Sequence, residues 1–209
     1  GVDIASVGDT INVDAGTWTE SIDINKAVNL VGSGVGSTIM NPAGANAFSI
    51  TDDLGAANSV TIDGFTVDGA SNSGVRFANS ATLGTLSVLN SEFNNNGFAG
   101  VIIGGSYTDV NLSNLIIQDT NFNNNGGVGP AVRGDGDIVA FFYNGDATLK
   151  NIIINNDGAA AGIEPDYGIQ FRGRADTAAW PPVNPAAMGT VSFDNVKVAG
   201  DYRAAQIGI

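Results

Sequence analysis

Three arginines stand at comparable places in successive segments of this 209-residue chain. They are Arg76, Arg133 and Arg172. A guanidinium donates paired hydrogen bonds to carboxylate and hydroxyl oxygens, so a face that carries three of them could hold an acidic or neutral glycan. The alternative is that these arginines form solvated pairs with nearby aspartates, which contribute little to stability. The residues alone leave both interpretations open.

Two aspartates close to Arg133 form a second candidate site. Asp135 and Asp137 lie in a glycine-rich turn, and closely spaced carboxylates in such a turn suit Ca²⁺, which takes oxygen ligands. We therefore predict that calcium can bind at this pair, although no cofactor is required. The alternative is a solvated acidic turn.

A long insertion at about 158–189 carries a third group of candidates, among them Tyr167, Arg174 and Trp180. Loops of this length are often functional. Trp180 could stack on a sugar ring or on a partner subunit, or it could pack on the side of the fold. Together with Arg133, Asp135 and Arg172, these three residues make up the predicted ligand-binding set.

The elements that must position these residues follow from a ten-residue pattern that occurs five times. Its copies start at residues 60, 86, 115, 147 and 191, and an earlier segment, 28–32, fits the same template. One apolar column consists of Ile62, Val88, Ile117, Leu149 and Phe193, and another of Val67, Phe93, Phe122, Ile154 and Val198. Units that keep a strand and vary their loops bury their apolar faces only by stacking on one another. We predict an all-β solenoid of about seven coils, forming a single domain over residues 1–209.

A polar column runs between the two apolar ones. Its members are Gly64, Asn90, Asp119, Asn151 and Asn195. Asn and Gly adopt a left-handed backbone at low cost where a strand bends, and stacked amides can hydrogen-bond to one another along the axis. We therefore predict a structural ladder, in which Asp119 accepts hydrogen bonds from its neighbours. A second column, which we expect to be more exposed, consists of Gly69, Asn95, Asn124, Asn156 and Gly200.

A second strand follows the first in each unit. We align Val75, Val101, Val132 and Ile169, with Ala205 as a looser match, as inward residues. The outward column that follows from this alignment reads Arg76, Ile102, Arg133, Gln170 and Gln206. This alignment is what places the three arginines on one side of the molecule.

The sequence resembles the right-handed parallel β-helix proteins of the pectin-lyase-like group. The resemblance rests on the asparagine column, the aliphatic columns, and the opening segments 16–20 and 28–34. It covers essentially the whole chain and implies a right-handed parallel β-helix with an asparagine ladder. Such a fold does not determine function, because many non-enzymatic surface proteins share it.

The catalytic patterns of that group are mostly missing from this chain. A polygalacturonase-like hydrolase needs a histidine beside its aspartates, and the chain has none. No segment matches the motifs of pectin methylesterases. A lyase-like mechanism needs Ca²⁺ and an arginine or lysine base, for which Arg76, Arg133 and Arg172 with Asp135 and Asp137 are the one suitable set. We expect a protein that is not an enzyme; if it is one, we expect a polysaccharide lyase or a related carbohydrate-active enzyme.

Composition narrows the classes of partner and location. Eight Lys and Arg residues against 21 Asp and Glu give a net charge of −13, which disfavours binding to nucleic-acid phosphates. The longest apolar run, residues 138–143, is too short to cross a bilayer. The absence of cysteine removes disulfides and thiolate metal sites. An acidic β-solenoid rich in Gly and Asn is typical of secreted or cell-surface prokaryotic proteins.

The two ends of the predicted stack suggest a function. Neither end of the sequence offers a capping helix, and uncapped coils expose strand edges that favour association. Either the chain is part of a longer protein whose flanking domains cover these edges, or copies stack head to tail into filaments. We therefore predict an extracellular structural or adhesive module that self-assembles through its terminal coils. The alternative is a domain that binds or cleaves a polysaccharide with its arginine-bearing face.

Overall fold

The computed structural model describes residues 1–105, 110–127, 134–156, 164–172, 189–203 and 205–208. After a short 3-10 helix at Val2–Ile4, the described part of the chain consists of strands and their connections. In chain order the strands are β1 (Thr10–Val13), β2 (Gly16–Trp18), β3 (Ile22–Asp23), β4 (Asn29–Gly32), β5 (Thr38–Met40), β6 (Asn46–Ile50), β7 (Asp53–Asp63), β8 (Thr66–Asp68), β9 (Ser73–Phe77), β10 (Thr82–Leu89), β11 (Glu92–Asn94), β12 (Ala99–Ile103), β13 (Asn111–Asn123), β14 (Gly136–Phe141), β15 (Asp146–Asn156), β16 (Tyr167–Arg172), β17 (Val191–Gly200) and β18 (Ala205–Gly208).

The strands stack into a parallel β-solenoid, as the repeat predicts. A seven-stranded sheet contains β3, β6, β9, β12, β14, β16 and β18, and the remaining strands form an eleven-stranded sheet. The larger sheet bends into two arms, and the long strands β13, β15 and β17 pass through the bend and belong to both. Each coil therefore presents three faces around one narrow core.

The register of the larger sheet confirms the predicted columns. The first column pairs Ile11, Leu30, Ile62, Val88, Ile117, Leu149 and Phe193 in that order. The second column pairs Met40, Val67, Phe93, Phe122, Ile154 and Val198. Phe93 and Phe122 stack with their ring centroids 5.2 Å apart and their planes at 12°. Apolar side chains on consecutive coils thus form one continuous core, which contains most of the buried residues.

The bend between the two arms lies at the predicted polar column. Asn90, Asp119, Asn151 and Asn195 have φ angles of 44°, 52°, 52° and 53°, and Gly64 has a φ of 76°. A second left-handed column, with Asn95 and Asn124 both at 54°, leads from the larger sheet toward the smaller one. These positions turn the chain because Asn, Asp and Gly tolerate this backbone region better than other residues.

The register of the smaller sheet corrects the predicted alignment in its later coils. Val75 and Val101 pair as predicted, but Val101 pairs next with Ile138 and not with Val132. Ile169 pairs with Ile207 and not with Ala205. The cause is the long connection after β13, because of which β14 starts only at Gly136. The sequence therefore offered two apolar residues, Val132 and Ile138, as the first inward residue of this strand.

This shift changes the outward column on which the arginine hypothesis depends. The observed column reads Ser49, Arg76, Ile102, Val139, Gln170 and Gly208. Val139 occupies the place assigned to Arg133, and Gly208 occupies the place assigned to Gln206. Arg133 itself lies outside the described residues.

No helix among the described residues combines the length and apolar character needed to span a membrane.

Candidate functional site

The outer face of the smaller sheet carries two of the three predicted arginines, but it does not bring them together. Arg76 lies on β9, and Arg172 lies at the end of β16, three strands further along the stack. At about 4.8 Å per strand, their backbones are separated by roughly 14 Å along the axis. Between them, Ile102 and Val139 are buried and belong to a second apolar cluster with Ala99, Phe141 and Phe142.

Of the two predicted arginines that the structure describes on this face, Arg172 is the more exposed. It is exposed, and its Cζ atom lies 5.7 Å from the centroid of the Phe141 ring, in a cation–π arrangement. Gln170, two residues earlier, is buried, and its Oε1 atom has no hydrogen-bond partner among the described residues. Tyr167 is half-buried at the start of the same strand, where it pairs with Gly136. Arg174 and Trp180 fall outside the described residues.

Asp135 is fully buried and belongs to an ionic cluster with the partly buried Asp166 and Arg203. Its Oδ1 atom accepts hydrogen bonds from Nη2 of Arg203 at 3.0 Å and from the backbone N–H of Asp166 at 3.0 Å. Its Oδ2 atom accepts from the backbone N–H of Gly127 at 2.6 Å. Arg203 also pairs with Asp166, with Nε and Oδ1 3.2 Å apart. The cluster therefore joins three segments of the chain: the connection that holds Gly127 and Asp135, the segment before β16 that holds Asp166, and the segment after β17 that holds Arg203.

Asp137 lies deeper in the interior and belongs to a second polar network. Its two carboxylate oxygens accept from Nδ2 of Asn125 at 2.8 Å and from Nδ2 of Asn156 at 2.7 Å. Asn125 in turn accepts from Nδ2 of Asn96 at 2.7 Å and donates to the carbonyl of Phe93 at 2.9 Å. All four polar side chains are fully buried. Desolvation raises the pKa of Asp137 to about 7, although hydrogen bonds from Asn125, Asn156 and Tyr202 oppose this rise.

The predicted ladder of Asn90, Asp119, Asn151 and Asn195 is present on the outside of the bend. Asn195 donates to Asn151 at 3.0 Å, and Asn151 donates to Asp119 at 2.7 Å. Asp119 also accepts from Gln118 at 2.7 Å, and the hydrogen bonds from Gln118 and Asn151 lower its pKa. Asn90 instead donates to Asp63 at 2.9 Å. At this coil the amide therefore bonds to a residue outside the column.

The second polar column is not uniformly exposed, contrary to our expectation. Asn95 donates outward to Asp68 at 2.9 Å, whereas Asn156 is fully buried and donates to Asp137. The buried network of Asn96, Asn125, Asp137 and Asn156 was missed from the sequence. The signal was present as the third asparagine in each of the runs at 94–96 and 123–125, immediately after a core phenylalanine.

Calcium binding at Asp135 and Asp137 stays a prediction. A cation there would have to displace the donors of Arg203 and Gly127 from Asp135, and those of Asn125 and Asn156 from Asp137. Among the residues that the structure describes, no group of three or more Asp, Glu, His or Cys side chains is arranged to hold a metal ion.

Comparison with solved structures gives two of the PL6 family alginate lyase AlyGC, one of them a mutant. The mutant is 14% identical with a TM-score of 0.43, and the match covers 99% of this chain and 37% of that chain. The other is 17% identical with a TM-score of 0.42, and the match covers 93% of this chain and 37% of that chain. The strand pairing of the chain itself shows that it is a parallel β-helix. The chain spans little more than a third of these lyase chains, and the similarity concerns the fold alone. No protein-family model and no curated protein matches the chain.

Proposed function

We propose that this protein is an extracellular structural or adhesive β-helix module rather than an enzyme. The observation that carries this proposal is that the charged side chains in the interior bind other parts of the chain. Asp135, Asp166 and Arg203 bind one another across separate segments, and Asp137 is bound by asparagine side chains. Groups that could serve chemistry on an open face instead hold the coils together.

The terminal coils support association with a second copy of the chain. At one end, Trp18 is 37% exposed, and an open cavity of about 420 Å³ is lined by Ile11, Leu30 and Met40 among others. At the other end, Phe193 is 38% and Ile207 is 45% exposed. Phe193 continues the column that starts at Ile11, so a second copy stacked head to tail would extend the same column. Strand edges and apolar column ends together favour such stacking.

Sedimentation velocity and negative-stain electron microscopy of the purified chain at high concentration test this self-association. We expect concentration-dependent assemblies that grow along the axis of the solenoid. Phe193→Asp places a charge on the column end and should shift the distribution toward monomer. Ile153→Asp is the matched control, because Ile153 is 50% exposed on an outer face of β15, and it should leave the assemblies unchanged. A monomer at every concentration, or equal effects of the two substitutions, would contradict the proposal.

A second candidate function is polysaccharide binding or cleavage on the outer face of the smaller sheet. The observation that favours it is the exposed Arg172 guanidinium held over the Phe141 ring, since Arg provides paired hydrogen bonds to carboxylates and hydroxyls. Affinity electrophoresis in gels that contain neutral or uronate polysaccharides tests binding, and release of unsaturated product tests lyase-like cleavage with and without Ca²⁺.

In that experiment Arg172→Gln should abolish the retardation if this face binds the polymer. Lys150→Gln is the control, because Lys150 lies on the larger sheet in an exposed pair with Asp194, at 3.5 Å. Arg133→Ala tests a second arginine of the hypothesis. Equal retardation of all three variants and the native chain would rule this function out.

A further inference from the structure

Residues 1–5, which precede β1, lie at the open edge of the first coil. Val2 and Ala5 are partly buried against the hydrophobic core, although they belong to no strand. A Cβ atom added at Gly1 would stand 3.4 Å from Cγ2 of Ile11, and Ile11 is the residue at which the first apolar column starts. Among the described strands β1 pairs only with β4. The segment therefore covers part of the first coil on the side where no further strand follows.

This cover is incomplete, because a cavity of about 420 Å³ remains beneath it. The walls of the cavity include residues 1–3 of the segment and Ile11, Trp18 and Ile22, at which the three apolar columns start. Ile4 is 92% exposed. A segment that packs this loosely gains less from apolar burial than a strand of the central coils does, so its attachment depends on polar contacts.

Three hydrogen bonds from the connection between β3 and β4 hold the segment in place. Nζ of Lys26 donates to the carbonyl of Asp3 at 2.5 Å and to that of Ala5 at 3.0 Å. Nδ2 of Asn25 donates to Oδ1 of Asp3 at 3.4 Å. Two of the three bonds are exposed to solvent, where water competes for the same groups and the net stabilisation is small. The segment is thus attached by contacts that a competing partner can replace.

A second copy stacked head to tail would need the place that this segment holds. The first column ends at Phe193 of β17, and continuing it across two copies puts the second copy's Phe193 about 4.8 Å beyond Ile11. Gly1 now contacts Ile11, and Val2 lies beside it in the wall of the same cavity. The segment and the last coil of another copy therefore compete for one surface.

We propose that residues 1–5 form a displaceable cap, which is held closed by Lys26 and competes with a second copy of the chain for the first coil. This inference rests on the proposed head-to-tail association and adds its regulation, because only a chain whose cap has opened accepts the last coil of another copy. The apparent affinity between copies is then reduced in proportion to the fraction of chains that are open. Releasing the cap should promote assembly, and locking it should prevent assembly.

A disulfide that locks the cap tests this competition in the whole chain. Asp3→Cys combined with Asn25→Cys replaces two side chains that are in contact, and the chain has no other cysteine. Mass spectrometry confirms that the bond has formed. In sedimentation velocity the oxidised variant should remain monomeric at concentrations at which the reduced variant assembles. Addition of a reducing agent should restore assembly.

A substitution at Lys26 tests the cap in the opposite direction. Lys26→Met keeps a long side chain and removes both hydrogen bonds to the backbone of the cap. The concentration at which half of the chains are assembled should fall by up to about tenfold. Arg76→Met is the matched control, because it removes one positive charge from the outer face of β9 in a central coil. It should leave that concentration unchanged.

The outcomes separate this inference from the association on which it rests. If the oxidised and reduced variants assemble alike, or if Lys26→Met assembles no better than Arg76→Met, the cap proposal is wrong while head-to-tail association stands. If the native chain, Lys26→Met and the reduced variant are all monomeric at every concentration, association itself is wrong and the cap proposal falls with it. If the disulfide does not form, the comparison of Lys26→Met with Arg76→Met decides alone.

Discussion

The left-handed residues at the bend show how single side chains determine the shape of this chain. Gly64, Asn90, Asp119, Asn151 and Asn195 share one column and one backbone conformation. Sequence alone could predict this column, because the residues that tolerate a positive φ are few and recur at the same place in each repeat. Their hydrogen bonds were less predictable, since an exposed amide can choose among several neighbours, as Asn90 does when it donates to Asp63.

Substitutions at Asn90 separate the role of its backbone from that of its amide. Asn90→Ala and Asn90→Gly both lose the hydrogen bond to Asp63, but only alanine is strained at a φ of 44°. We expect Asn90→Ala to lower the free energy of unfolding by about 1 kcal/mol more than Asn90→Gly does. Urea denaturation measures the difference. Equal stability of the two variants would show that the left-handed conformation is not needed there.

The buried network around Asp137 could not be predicted with the same ease. Aspartates in a glycine-rich turn ordinarily face solvent, where closely spaced carboxylates can bind a cation. The sequence therefore suggested a cation site at Asp135 and Asp137. Strand alternation also misleads here, because Ile138 points inward and Asp137 would then share the outer face with Val139. Its hydrogen bonds from Asn125 and Asn156 place it in the interior instead.

At the scale of strands, an alternating hydrophobic pattern predicted which residues point inward, whereas a continuous hydrophobic run did not. β10 buries alternate residues over most of its length, so its inward column was readable from the sequence. β14 is buried at all six positions, because its outer face is covered as well, and such a strand gives no alternation to define its register. The misplacement of Arg133 in the outward column was a direct result.

The stacked phenylalanines of β11 and β13 provide a test of the columns. Phe122 is fully buried against Phe93, 5.2 Å away, so Phe122→Ala should reduce the free energy of unfolding by about 3–5 kcal/mol. Phe193→Ala is the comparison on the last strand of the sheet, where the ring is 38% exposed, and its cost should be less than half as large. Thermal and urea unfolding measure both. Similar costs would mean that the last coil is as tightly packed as the central ones.

Across the whole molecule, burial is greatest in the central coils. Every residue of β12 and β14 is buried, whereas no residue of β1, β2 or β17 is fully buried. In a solenoid each coil contacts only its neighbours, so local stability should follow this gradient.

Native-state hydrogen exchange should therefore be slowest in β12 and β14 and fastest in β1 and β2. The difference reflects opening free energies that extend from near zero at the ends to the global value in the centre. The measurement is made on the chain at low concentration, where association does not protect the ends. Uniform protection over all coils would show that the solenoid unfolds as a single cooperative unit.

The register of the larger sheet is constant apart from a shift between β7 and β10, and it also sets regular distances along the molecule. Side chains at equivalent places in successive coils are separated by about 4.8 Å and by multiples of it, while the connections between coils differ in length without disturbing the columns. Groups placed on one outer column would therefore be held at known intervals along a rigid axis. Segments inserted into the connections could change what the molecule displays and leave that spacing intact.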